Sequence, residues 1–245
     1  MCILLLFYRQ IPDYPLVLCA NRDEYYDRPA TLPAIRTAGT PEEGGCRSLA
    51  PGDLRAGGTW IGINERGSLA AITNRKGLPV DPAAPSRGGL CAEVLACGEA
   101  KRMVLAGLET AGRERFNGFN LLVADAENAW MLIGGGSQVT CVGITPGVHV
   151  VTNEHELDAI PLPLKPWWNE RPESEEALIR RLSRLLKRHD PLSPDGFSPC
   201  KHFSNRGTRS ATLIIARPGH GQSRFLFADG PPCETRFDDY SKLIP

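Results

Sequence analysis

Three features of this chain predict an α+β fold, in which two antiparallel sheets stack and helices cover their outer faces. Short apolar runs of strand length are joined by Gly, Pro and Asp turns into successive hairpins. Helical patterns arrive in two separate blocks rather than alternating with every strand, as a doubly wound parallel sheet requires. The chain has 245 residues, 42% apolar and 23% charged, enough to bury a full core without covalent staples.

The elements follow in order. Cys2 to Tyr8 is continuously apolar, and Ile11-Pro12-Asp13-Tyr14-Pro15 turns it back into Leu16 to Ala20, a first hairpin. Trp60 to Asn64 and Ser68 to Asn74 flank Glu65-Arg66-Gly67 as a second. Leu90 to Leu108 carries Leu90, Val94, Leu95, Met103, Val104 and Leu108 at helical spacing, and Cys97-Gly98-Glu99 breaks it into a pair. Phe119 to Ala124 with Ala129 to Ile133 forms a third hairpin, and Gln138 to Gly143 with Val148 to Thr152 a fourth. Ser174 to His189 is a helix with Leu178, Leu182, Leu185 and Leu186 on one face, acids at its start and bases at its end. Ala211 to Arg217, Arg224 to Ala228 and Glu234 to Phe237 complete the series. About nine or ten strands and two helical blocks predict a four-layer αββα sandwich. The proline clusters change no composition, so residues 1–245 are read as a single domain.

The 28 basic residues balance 28 acidic ones, which argues against a nucleic-acid binder or a polybasic membrane anchor. Cys2 to Phe7 is too short to cross a bilayer and lacks the flanks of a leader, so no integral membrane segment and a cytoplasmic protein are expected. None of the eight cysteines forms a Cys-x-x-Cys pair, and several sit in apolar runs. Neither a zinc site nor a disulfide framework is expected.

Cys2 is the first chemical candidate. A cysteine at position two, exposed by removal of the initiator methionine, carries its own α-amine, whose pKa near 7.7 lets it take the thiol proton as the thiol attacks a carbonyl. Alone, Cys2 reads better as the start of a strand. The tetrad Asn21-Arg22-Asp23-Glu24 changes the balance, because buried strands seldom end in four polar residues without a use for them. Thr73-Asn74-Arg75, Thr152-Asn153-Glu154 and Gly207-Thr208-Arg209-Ser210 repeat the pattern. Asparagine amides at strand ends can stabilise an oxyanion, and Arg209 can hold a carboxylate. Each cluster alone reads as a turn; the repetition counts against that.

These residues, with Met1-Cys2-Ile3, Gly57-Gly58-Thr59-Trp60-Ile61-Gly62, Arg87-Gly88-Gly89-Leu90 and Asn117-Gly118-Phe119-Asn120-Leu121, resemble the NRDE family, also called the transport and Golgi organization protein 2 family. The resemblance implies an N-terminal-nucleophile (Ntn) hydrolase-like fold and a distant relation to cysteine Ntn amidases such as the bile salt and penicillin V hydrolases. It makes Cys2 the nucleophile, places Arg22 and Asp23 beside it, sets Asn74 and Asn153 near the oxyanion and amine, and makes Arg209 the late arginine. Asn21, Glu24, Arg75 and Trp60 become substrate-facing or supporting residues.

A hydrolase of this kind needs no cofactor or metal and acts on a small-molecule amide. The resemblance also implies a competing role, haem trafficking, with haem as the ligand. The five histidines carry no haem-attachment signature, and Cys2, His155 and His202 are the axial candidates. Trp167-Trp168 can flank an apolar ligand, although a packed corner explains them as well. Gly134-Gly135-Gly136 reads as a turn.

Overall fold

The computed structural model describes residues 2–37, 45–136, 138–154, 157–158, 167–189, 197–217 and 223–245. The expected fourth hairpin aside, the early elements form where the patterns place them. Strands β1 (Ile3–Ile11) and β2 (Tyr14–Tyr25) form the first hairpin, with Asp13 at φ 69 in its turn. Two unpredicted strands follow, β3 (Ala30–Thr37) and β4 (Arg47–Asp53). Then come β5 (Ile61–Asn64), β6 (Leu69–Asn74), helices α1 (Arg87–Leu95) and α2 (Ala100–Arg113), and β7 (Phe119–Ala124). Strands β8 (Ala129–Gly135), β9 (Gln138–Gly143) and β10 (Gly147–Thr152) precede helix α3 (Glu175–Lys187). Strands β11 (Arg206–Ala216), β12 (Arg224–Ala228) and the two-residue β13 (Asp238–Asp239) close the order.

The chain divides into two compact units, each built from discontinuous segments. The first takes Met1–Asp27, Pro146–Ile215 and Arg224–Ser241. Its six-stranded antiparallel sheet runs β10-β1-β2-β11-β12-β13. Helix α3 starts at Ser174, whose side chain accepts from the Ala177 N–H, a standard N-cap. Its leucine face, Leu178, Leu182, Leu185 and Leu186, packs on Ile3, Leu5, Phe7, Val17, Cys19, Leu213 and Ile215. Each such buried leucine contributes about 1.5–3 kcal/mol. Because side chains alternate along a strand, the odd-numbered residues of β1 and β2 face α3, which leaves Leu4, Leu6, Leu16, Leu18 and Ala20 to the opposite face.

The second unit, Arg28–Thr145 with Ala216–Ser223 and Lys242–Pro245, holds a seven-stranded meander in chain order from β3 to β9. Helices α1 and α2 bury Leu90, Val94, Leu95, Met103 and Val104 against Ala70, Ile72, Leu121, Val123 and Leu132. Gly58, at φ 74, shows why two of the glycine motifs are glycine-rich. A Cβ there would stand 2.2 Å from the Gly88 backbone, whose carbonyl accepts from the Thr59 N–H.

Two expectations are corrected. Strands β9 and β10 are not a hairpin: β9 pairs with β8, and β10 pairs with β1. Hairpin periodicity cannot see that β9 is a largely exposed edge strand from which the chain leaves the sheet. Glu234 to Phe237 is not a strand either. Pro231 caps a tight turn there, its carbonyl accepting from the Glu234 and Thr235 N–H groups. Trp168 is buried, edge-on to Phe7 with ring centroids 5.9 Å apart, and so belongs to the core. No helix among the described residues is long and apolar enough to cross a membrane.

Candidate functional site at one end of the six-stranded sheet

Strand register assembles the site. Ile3 lies level with Asn21 on β2 and with Thr152 on β10, so one residue further out Cys2 lies between Arg22 and Asn153. Alternation turns these three toward the face opposite α3. The tetrad is therefore split. Asn21 keeps the parity of Val17 and Cys19, and its amide donates to the Leu186 carbonyl at the end of α3, 3.0 Å away. It anchors the helix.

Cys2 is half-buried, and its Sγ donates to the Asp23 carbonyl at 3.5 Å. Burial first and the Asp23 carboxylate second push the thiol up to about 11, against the hydrogen bond to that carbonyl and Arg22. At neutral pH Cys2 is thus a thiol, and its attack on a carbonyl needs a base beside it. Asp23 is held by Thr208, which is fully buried and donates from Oγ1 to Asp23 Oδ1 at 2.7 Å. Burial pushes the Asp23 carboxyl up from its ordinary value, while Thr208 and Lys201 hold it back. Arg22 is buried and faces Glu24 at 3.7 Å.

Asn153 is buried, and its Oδ1 has no hydrogen-bond partner among the described residues. The same holds for Nε of Arg209, whose Nη1 lies 3.9 Å from Asp229. An orphaned buried polar atom costs about 1–3 kcal/mol, so these two groups are ready to accept or donate to something bound. Asn74, Arg75 and Trp60 belong to the other unit. Asn74 ends β6 and is exposed, Arg75 donates its N–H to the Gly118 carbonyl, and Trp60 packs against the core under α1 and α2.

Thr208 joins the site beside the residues expected from the sequence. It lies in Gly207-Thr208-Arg209-Ser210, and its sequence signal is a hydroxyl at the inner start of an apolar strand. The cysteine spacing likewise hides a cluster, because Cys200 and Cys233 are 33 positions apart yet their sulfurs lie 3.6 Å apart with His202 beside both. All eight cysteines are free. Of the haem candidates, His155 lies outside the described residues, and His202 faces Cys233 at 3.2 Å. A cleft of about 580 Å³ in the seven-stranded unit is lined by Arg66, Lys101, Asp125, Glu127 and Arg217 and holds none of the predicted residues.

Comparison with known proteins adds to this geometry. The family model described as Transport and Golgi organisation 2 matches residues 1–222. The Transport and Golgi organization 2 homolog of Mus musculus is 33% identical over 144 residues, 57% of this chain and 51% of the mouse protein. The Homo sapiens homolog is 33% identical over 151 residues, with the same shares. The chain thus spans about half the length of these relatives.

Among solved structures, penicillin V acylase from Agrobacterium tumefaciens superposes at a TM-score of 0.60 and 14% identity, covering 98% of this chain and 87% of that one. Conjugated bile acid hydrolase from Clostridium perfringens, as its mutant C2A, gives 0.54 at 10% identity over 99% and 93%. A Caenorhabditis elegans ortholog of N-acylethanolamine-hydrolyzing acid amidase gives 0.53 at 12% over 97% and 100%. At such identities the likeness shows the fold, which is the Ntn-hydrolase-like α+β architecture expected from the sequence.

Proposed function

The chain belongs to the Transport and Golgi organisation 2 family, and from that premise we propose that it is a cysteine amidohydrolase, cleaving a non-peptide C–N bond with Cys2 as nucleophile. One observation carries the reading: the register that sets Cys2 between Arg22 and Asn153, with Asp23 held by Thr208 behind it. Solved proteins of the same fold include a penicillin V acylase, a conjugated bile acid hydrolase and an ortholog of N-acylethanolamine-hydrolyzing acid amidase, which supports the reaction class.

Removal of Met1 frees the α-amine of Cys2. That amine takes the thiol proton as Sγ attacks the amide carbon, giving a tetrahedral oxyanion that accepts from the side-chain amide N–H of Asn153. The oxyanion collapses, the C–N bond breaks, and the ammonium returns the proton to the leaving amine. Water, deprotonated by the same amine, then cleaves the Cys2 thioester and releases the acid. With Met1 removed, the adjacent amine is the base that takes the thiol proton. Arg22 stabilises negative charge on sulfur, and Asp23 orients the ammonium form.

The test is mass spectrometry on purified protein incubated with a panel of N-acyl amides, following amine release and the position of the acyl adduct. Loss of Met1 and an adduct on Cys2 are expected. Cys2→Ala and Cys2→Ser should lose turnover by orders of magnitude while stability moves by less than about 1 kcal/mol. Quantitative retention of Met1, or hydrolysis that persists in Cys2→Ala, overturns the proposal.

A further inference from the structure

The Cys200, His202 and Cys233 cluster lies in the same unit as Cys2, but the hydrolytic reading does not use it. Its three donor atoms are close together: Cys200 Sγ to Cys233 Sγ is 3.6 Å, Cys200 Sγ to His202 Nε2 is 3.6 Å, and Cys233 Sγ to His202 Nε2 is 3.2 Å. A tetrahedral zinc ion, with Zn–S about 2.3 Å and Zn–N about 2.0 Å, separates two sulfurs by about 3.8 Å and a sulfur from a nitrogen by about 3.5 Å. The observed triangle is within a few tenths of an ångström of that. A sulfur–sulfur disulfide needs about 2.05 Å, so the spacing is that of metal ligands and not of a bond.

The scaffold around the donors is built. Cys200 donates its N–H to the Arg188 carbonyl just beyond α3, and Lys201 donates its N–H to Thr208 Oγ1, both at 2.9 Å. His202 forms a bridge with Gly207, where a Cβ would stand 2.5 Å from the Lys201 carbonyl, so the two backbones are in direct contact. Cys233 sits in the turn capped by Pro231. Three ligands on two fixed pieces of backbone make a preformed site, which lowers the ordering cost of binding.

We propose that Cys200, His202 and Cys233 bind one zinc-class divalent cation, with solvent water in the fourth position. Two thiolates and an imidazole are a soft donor set that favours zinc over magnesium or calcium. On binding, the cation displaces the two thiol protons and is neither oxidised nor reduced. The ion ties the segment before β11 to the turn after β12. Through Lys201 and Thr208 that segment reaches Asp23, so the metal acts as a clasp that holds the Thr208 hydroxyl in position. The exposed His189 ring lies edge-on to His202, ring centroids 5.4 Å apart.

Metal content and cobalt(II) reconstitution of the full chain, purified with a non-chelating reductant, test the proposal without reading hydrolysis, so its outcome is separable from that of Cys2. Wild type is expected to carry about one equivalent of zinc. Cobalt should give the intense visible absorption of a tetrahedral site together with sulfur-to-metal charge transfer. His202→Ala changes an exposed side chain and should fold, yet lose about tenfold or more in cobalt affinity; Cys233→Ser should match it, and Cys2→Ala should bind as wild type does. Added zinc should raise the melting temperature of metal-free wild type and leave His202→Ala unmoved. A wild type that binds no more cobalt than His202→Ala overturns the site, and so does a Cys200–Cys233 disulfide in the reduced preparation.

Discussion

Two buried asparagines, one in each unit, are treated in opposite ways. Asn64, at the end of β5, is fully buried and fully satisfied. Its amide donates to the Leu95 and Gly98 carbonyls at 3.0 and 2.7 Å, and its Oδ1 accepts from the Arg66 and Ser68 N–H groups at 3.0 and 3.1 Å. It ties the β5–β6 turn to the end of α1. Asn153, next to the β10 end, is buried with its Oδ1 unpartnered among the described residues. A saturated polar side chain holds architecture together, whereas an unsaturated one beside a thiol is available to a ligand.

The contrast breaks or sharpens under mutation, and the largest effect falls on Asn64→Ala. It removes four hydrogen bonds and orphans the backbone groups they served, so it should cost about 3–5 kcal/mol in urea unfolding. Acyl transfer to Cys2 per folded molecule should be unchanged. A loss below about 1 kcal/mol would show that the turn re-solvates and that Asn64 is not structural.

Asn153→Ala should do the reverse. Stability should move by no more than about 1 kcal/mol, because its carbonyl is already unpaired, while acyl-enzyme formation should slow about 10²-fold, equivalent to about 2.7 kcal/mol. An unchanged acylation rate would assign the oxyanion to a donor other than Asn153.

Thr208→Val lies between the two, since it touches both fold and site. It removes the donor to Asp23 and should cost about 1–3 kcal/mol. The sign of its pH effect follows from Asp23. Burial raises that carboxyl above its unfolded value, so Asp23 withdraws stability as pH rises through the unfolded pKa toward the folded one. Without Thr208 the folded pKa should rise further, moving the acidic limb of the rate profile upward. Asn64→Ala should leave the limb in place.

The smallest effect is expected at the half-buried Arg28–Asp53 pair, 2.8 Å apart. Burial raises the Asp53 carboxyl, but the Ala56 N–H, Arg28 and the Arg55 N–H outweigh it and leave the pKa lowered. That stabilisation is present above the ordinary carboxylate pKa and lost as pH falls through the lowered one. Arg28→Gln should cost less than about 1 kcal/mol at neutral pH, flatten that acid loss, and have less effect in high salt. A larger cost would mark the pair as part of a network.

Legibility in the sequence followed how local each determinant is. The β1–β2, β5–β6 and β7–β8 hairpins and the α1–α2 break at Gly98, which sits at φ 86, are fixed by side-chain periodicity and a turn residue a few positions apart. Strand β3 escaped because its exposure pattern is irregular and a bulge between Thr31 and Ala34 shifts its register against β4, and β4 because its Pro51, Gly52 and Asp53 read as turn residues. The Cys2, Arg22 and Asp23 part of the site was readable because one hairpin carries all three. Asn153 was readable only as a polar residue ending a strand, since nothing local says that β10 crosses to pair with β1.

By itself the sequence determined the α+β class, the leucine face of α3, the polar strand ends and the family, because each is written in spacing over a few residues or in a motif. Tertiary structure alone decided that β10 leaves β9 for the edge beside β1, that Asn21 serves α3 while Arg22 and Asn153 flank Cys2, and that Cys200, His202 and Cys233 meet. Those outcomes depend on strand register and on contacts across 33 to 185 positions, where the energy comes from burial and hydrogen-bond satisfaction summed over whole sheets, and no short stretch of sequence contains that sum.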